Sequence, residues 1–157
     1  MKRKVYLDTS IISAYFDGRD KKRQEITKKW WAEVMLKNYD VYISELVERE
    51  LKKTNEEKRR GELLSLIQGI KILEITEDVE ELAQAYITNE IIPEDYIDDA
   101  MHIAIATINE IELLISWNFA HLVNYETKRK VKGVNILKGY KELEIESPLE
   151  IGGGCYV

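Results

Sequence analysis

Five short apolar runs rich in β-branched residues, separated by longer stretches with helical spacing, constrain the fold of this chain more than any other feature. The runs are "KVYLD" at 4–8, "DVYIS" at 40–44, "IKILEI" at 70–75, "LLISW" at 113–117 and "VNIL" at 134–137. Helical patterns run through "ITKKWWAEVMLKN" at 26–38, "ELVERELKKT" at 45–54, "EEKRRGELLSLIQG" at 56–69, "DVEELAQAYITNE" at 78–90 and "PEDYIDDAMHIAIATINE" at 93–110. Strands that alternate with helices imply βαβ units and a parallel sheet, so the predicted architecture is α/β with three layers, α/β/α. Pro93 sits just before Glu94 and Asp95, two acids that suit the first turn of a helix. An open parallel sheet places ligand sites at the carboxyl ends of its strands, and that edge is where function is sought.

At 157 residues the chain is long enough for one domain with its own core. The expected division is a domain over 1–147 and a tail over 148–157. The tail holds the lone cysteine, Cys155, so no intrachain disulfide forms and a reducing compartment is expected. The basic "MKRK" start leads into only a brief apolar run, unlike a signal peptide or a membrane anchor, and the protein is expected to be cytoplasmic. A net charge of -6 argues against a surface that coats nucleic acid broadly. Basic clusters nevertheless occur locally, as "DKKRQEITKK" from residue 20, "EKRRG" from 57 and "TKRKVKG" from 127. Each is a solvated helix face or turn on the plain reading.

Three acids fall at places where a parallel sheet gathers side chains. Asp8 ends the first strand, although "DTS" also suits the N-cap of a following helix. Glu50 lies at the border of the apolar side marked by Leu46, Val47 and Leu51, whereas Glu45 and Glu48 read as first-turn or solvent acids. Asp98 and Asp99 open "DDAMHIAIA", whose Ala100, Ile103, Ala104 and Ala106 permit close packing against the sheet. Carboxylates drawn to one edge repel, and at least one pKa rises unless a divalent cation sits among them. An all-oxygen set suits Mg²⁺ or Mn²⁺, ions that keep waters, share phosphate oxygens and support phosphodiester hydrolysis. His102 and His121 are far apart in sequence and give no zinc signature.

Taken in order, "VYLDTSIISAYFD", "VYISELVEREL", "YIDDAMHIAIA" and "LLISWNFAHLVN" resemble the motifs of PIN-domain proteins, especially the VapC-like ribonuclease toxins of type II toxin-antitoxin systems. The resemblance spans residues 4–140. It implies a PIN-like (5′-nuclease-like) fold with a mostly parallel sheet and a Mg²⁺- or Mn²⁺-dependent endoribonuclease acting on RNA. It also implies a cognate antitoxin protein that occludes the site, and a homodimer. Asp8 then matches the family's first acid, Glu50 its helical glutamate and Asp99 its third acid, with Asp98 beside it. Asn118 stands where the family usually carries an aspartate, and an amide offers a carbonyl without charge, so a second metal would bind more weakly. Ser10 and Ser116 are supporting candidates that can hydrogen-bond a metal-bound water or a phosphate.

Plainer roles stand beside these. Thr9 and Ser10 suit the cap of the helix that follows Asp8, and His102, four residues after Asp98, reads as structural packing. Trp30 and Trp31 cannot face the same way on one helix, so one is core and the other is free for a partner surface. Two competing functions remain. An aspartyl-phosphate phosphatase would use Asp8 as nucleophile, but Ser10 stands where its second acid belongs. A PIN-fold module with a degraded metal site would bind RNA or protein without cleaving, and Asn118 is the feature that favours it.

Overall fold

Val5, Tyr6 and Leu7 are fully buried, so consecutive side chains pointing to opposite faces of β1 (Arg3–Leu7) are all covered. Only a strand in the middle of a sheet with helices on both faces has that property. The computed structural model describes residues 2–150, and residues 151–157, with Cys155, lie outside them. The other strands are β2 (Tyr39–Ser44), β3 (Lys71–Leu73), β4 (Leu113–Ile115) and β5 (Glu144–Glu146). They form one sheet in the order β3-β2-β1-β4-β5, parallel throughout, with Val5 opposite both Val41 and Leu113.

Between β1 and β2 lie α1 (Thr9–Phe16), α2 (Lys21–Trp30), a π turn at Trp31–Met35 and the short α3 (Leu36–Asn38). Next come α4 (Glu45–Lys52) and α5 (Glu57–Leu66), then α6 (Glu77–Thr88), a 3₁₀ turn at Glu94–Tyr96, α7 (Ile97–Ile108) and, after β4, α8 (Tyr125–Leu137). The chain winds outward from β1 to β3, then returns across to β4 and β5. Right-handed crossovers in opposite directions put their helices on opposite faces, α1 to α5 on one and α6 to α8 on the other. Helix α1 packs against α2, α4 and α5, and α6 packs against α7 and α8, as that rule requires.

The fifth predicted strand is corrected. "VNIL" is the last turn of α8, and the edge strand is the later "EIE" of β5. Asn124 caps α8 by accepting from Thr127 N, and Thr127, Val131 and Asn135, four residues apart, form its buried side. A short apolar run does not distinguish helix from strand, and here Ile136 and Leu137 are 62% and 88% exposed. Conversely, β5 carries only one buried apolar residue, Ile145, because it is an edge strand. Helix α2 also begins earlier than the pattern predicts, where Asp20 accepts from Arg23 N. Trp30 is core, and Trp31 packs edge-on against Tyr15 at 5.6 Å.

The α6–α7–α8 face is tied by a buried polar contact. Tyr86 Oη donates to Asn135 Oδ1 at 2.6 Å, and Asn135 Nδ2 donates to Thr107 Oγ1 at 3.3 Å. Tyr86→Phe leaves the Asn135 oxygen without its phenol donor and is expected to lower the unfolding free energy by about 1–3 kcal/mol, read from urea denaturation at unchanged m-value.

Candidate active site

The sheet order places β1 and β4 side by side where the winding reverses. In open parallel sheets, the crevice beyond the carboxyl ends of such a pair is the ligand site. Asp8 leaves β1 there, and Ser116, Trp117 and Asn118 leave β4. The local sequence explains the first step. Asp8 is extended and N-caps α1 through a 3.1 Å bond from Ser10 N to its Oδ1, so the cap is Asp8 rather than Thr9 or Ser10.

Asp8 is 4% exposed, and both of its oxygens are occupied by hydroxyl donors. Ser10 Oγ donates to Oδ1 and Ser116 Oγ to Oδ2, each at 2.6 Å. The same hydroxyls accept in turn, Ser10 Oγ from Trp117 N at 2.8 Å and Ser116 Oγ from Asn118 N at 2.9 Å. The loop after β4 is thereby stitched to the acid after β1. Burial pushes the Asp8 carboxyl above its ordinary value, against the charge of His102 and the two hydroxyl bonds, while the charge of Asp99 adds to the rise.

Glu50 reaches the same edge from α4, whose N-cap is Ser44 at the end of β2. Its Oε1 accepts from Thr9 Oγ1 at 2.6 Å and pairs with His102 Nε2 at 2.8 Å. His102 is buried in α7 with both ring nitrogens engaged, since Nδ1 meets Tyr6 Oη at 2.7 Å, and Tyr6 Oη meets Ser44 Oγ at 2.7 Å. A carboxylate only accepts, so Nε2–H donates to Glu50; at Nδ1 the ring accepts from Tyr6 Oη when neutral and donates to it when protonated. Burial pulls the Glu50 carboxyl upward, but the His102 bond and charge and the Thr9 hydroxyl outweigh it and hold it below its usual range. Burial likewise lowers His102, and the bond to Glu50 with the charges of Asp8, Glu50 and Asp99 raises it above its ordinary value.

Asp99 stands in the first turn of α7, where the helix dipole favours a negative charge. Its Oδ2 pairs with His121 Nδ1 at 2.8 Å, and the Tyr96 ring lies 4.1 Å from the His121 ring, centroid to centroid. His121 N also donates to Asn118 Oδ1 at 2.9 Å, so the amide at the fourth position closes the turn that presents His121. Asp98 makes no hydrogen bond or ion pair with these groups among the described residues. Sequence reading missed Tyr6 and His121 and the pairing of His102 with Glu50. The only sequence signal was His102 one helical turn after the acids. His121 meets Asp99 across 22 residues through tertiary structure alone.

The donor chemistry suits Mg²⁺ or Mn²⁺. Glu50 and Asp99 each spend one oxygen on an imidazole, and no hydrogen bond occupies Glu50 Oε2 or Asp99 Oδ1 among the described residues. Among those residues no three His, Cys, Asp or Glu side chains are grouped tightly enough to cage a metal ion. Mg²⁺ does not require such a cage, because it usually keeps several waters and takes one or two carboxylates together with substrate phosphate oxygens.

The chain matches the PIN domain over residues 5–118. No curated protein matches its sequence. Its fold is similar to VapC20 of Mycobacterium tuberculosis, a sarcin-ricin loop cleaving toxin, at TM-score 0.58 and 17% identity, covering 90% of this chain and 99% of that one. It is also similar to VapBC-1 of nontypeable Haemophilus influenzae, at TM-score 0.57 and 18% identity over 92% and 97% of the two chains. A third similar structure is VapBC2 of Rickettsia felis bound to a DNA fragment from its promoter, at TM-score 0.56 and 14% identity over 91% and 97%.

Because Asp8 is both a buried charge and a helix cap, two substitutions separate the roles. Asp8→Asn keeps a capping oxygen and removes the charge, and its stability without added metal is expected within about 1 kcal/mol of wild type. Asp8→Ala loses the cap as well and is expected to fall by about 0.5–2 kcal/mol or more, measured by paired urea melts.

Proposed function

The chain belongs to the PIN domain family, and on that premise we propose that it is a Mg²⁺- or Mn²⁺-dependent endoribonuclease, the toxin of a toxin-antitoxin pair. What supports this reading is that Asp8, Glu50 and Asp99 all act on the charge of His102 near the carboxyl ends of the strands, each held by a named donor. Asp8, Glu50 and Asp99 would hold the ion, which supplies an activated water and neutralises charge on the phosphodiester. The protein's own residues orient these acids. Ser10 and Ser116 fix the plane of the Asp8 carboxylate, Thr9 and His102 direct Glu50, and His121 directs Asp99. Asn118 acts at one remove, by setting the turn that carries His121 and lining the crevice beside Ser10.

The similarity of the fold to VapC20 and to the two VapBC structures supports the toxin reading and an antitoxin partner. We propose a cytoplasmic homodimer. No helix among the described residues is long and apolar enough to cross a membrane. One observation favours a second reading, a PIN-fold RNA- or protein-binding module without cleavage. The fourth position is the uncharged Asn118, and its oxygen already accepts from His121 N.

Wild type and Asp8→Asn, incubated with pooled RNA and Mg²⁺ or Mn²⁺, distinguish the readings. The nuclease requires cleavage by wild type that stops with chelator and is absent from Asp8→Asn. Equal cleavage by both proteins would sink the catalytic assignment, and RNA binding without cleavage by wild type would select the module. His102→Leu tests the support of Glu50. It is expected to weaken Mn²⁺ binding by about 10- to 100-fold in calorimetry, with partial recovery in His102→Gln, whose amide can again donate to Glu50.

A further inference from the structure

The basic cluster near the site is the one at the start of α2. Resting on the nuclease reading, we infer that Arg23, Lys22 and Phe119 form a track for single-stranded RNA leading away from the acidic crevice. A cavity of about 370 Å³ opens beside Asp8's partner Ser10 and is walled by Ser13, Asp17, Arg23, Trp117 and Asn118. A second, of about 270 Å³, shares Asp20, Arg23 and Trp117 with the first and continues to Lys22 and Phe119. The two adjoin at Asp20, Arg23 and Trp117, and the first reaches Ser10 and Asn118, the residues bonded to Asp8 and to the turn that carries His121.

The junction has the chemistry of a nucleotide contact. The Arg23 guanidinium lies 4.8 Å from the centroid of the buried Trp117 ring and 6.0 Å from that of Phe119, an exposed flat plate of the kind on which unpaired bases stack. Its one carboxylate neighbour, Asp20, is 3.7 Å away, and that side chain also caps α2. Asp17, the other acid of the wall, is clamped by Arg19 through bonds of 2.9 and 3.0 Å. Lys22 is exposed and makes no ion pair among the described residues. Phe119 is 39% exposed and stands edge-on to the buried Trp117, so it is a fixed, open stacking face.

The other two clusters lie away from these cavities, and all their cations except Lys58 have partners of their own among the described residues. Lys128 pairs with Glu146, Arg129 with Glu126 and Lys132 with Glu142, beside β5 rather than the acids. Arg60 Nη1 donates to Thr54 O, and Arg59 pairs with Glu62. An arginine beside an exposed aromatic ring suits splayed bases, whereas an A-form duplex is read by shape over a broad surface.

The test is binding of a labelled single-stranded RNA pool, and of the same pool annealed to its complement, to the non-cleaving Asp8→Asn chain, read by fluorescence anisotropy against salt. Arg23→Ala added to this chain is expected to weaken single-strand binding and to reduce the slope of log K against log salt by about 0.7, one phosphate contact. Phe119→Ala is expected to weaken it about fivefold or more with the slope unchanged. Lys132→Ala serves as the control, with no change, and circular dichroism melts confirm that each variant is folded. Duplex binding as tight as single-strand binding, or unaltered affinity in both folded variants while wild type cleaves RNA, overturns the track and leaves the nuclease standing. Unaltered RNA affinity with lost binding of a co-expressed antitoxin reassigns the groove to a protein partner and overturns the track. Wild type that neither binds nor cleaves RNA overturns both readings.

Discussion

A buried carboxylate at the one point where the sheet reverses its winding is the constraint around which the candidate site is organised. Asp8 cannot sit there as an isolated charge, because desolvation alone would drive it toward its neutral form. Two hydroxyls and one backbone amide meet it, and the hydroxyls then bond the amides of Trp117 and Asn118. The acid thus joins the helix after β1 to the loop after β4. One residue terminates a strand, caps a helix and fixes the far wall of the crevice.

The other two acids are treated alike by different means. Each of Glu50 and Asp99 gives one oxygen to an imidazole, one from within α7 and one from the turn after β4. Pinning one oxygen sets the plane of a carboxylate and so the direction of the other, the usual function of groups that stand behind metal ligands. His102 is further fixed by Tyr6 and Ser44, so β1, β2, α4 and α7 all contribute to the orientation of Glu50. Asn118 fits the same scheme. It brings no charge, and its carbonyl holds the turn that delivers His121.

A net charge of -6 does not conflict with an RNA substrate, because what matters is where cations stand uncommitted. The lysines and arginines of α8 are answered by glutamates of α8 itself, β5 and the segment between them. At the start of α2, Lys22 has no ion pair among the described residues and Arg23 has only Asp20, and both line a cavity beside Trp117. An acidic protein can hold an anionic polymer at one groove while repelling it elsewhere.

How much of this was legible in the sequence follows from the range of each interaction. The strands β1, β2, β3 and β4 and the strand-end place of Asp8 are written in local periodicity, which acts over a few residues, whereas Asp99 rather than Asp98 was singled out by the resemblance to PIN-domain motifs. The last strand was not legible. β5 is an exposed edge with one apolar residue, and the stronger apolar run in α8 faces solvent at Ile136 and Leu137. Sequence alone therefore determined a parallel α/β sheet with acids at its carboxyl edge, because burial on both faces leaves a pattern in the chain. Only the tertiary structure decided that His102 holds Glu50, that His121 holds Asp99 and that Arg23 rather than the α8 lysines lies beside the site. Those pairings join residues distant in sequence, and hydrogen bonds and stacked rings leave no periodic trace.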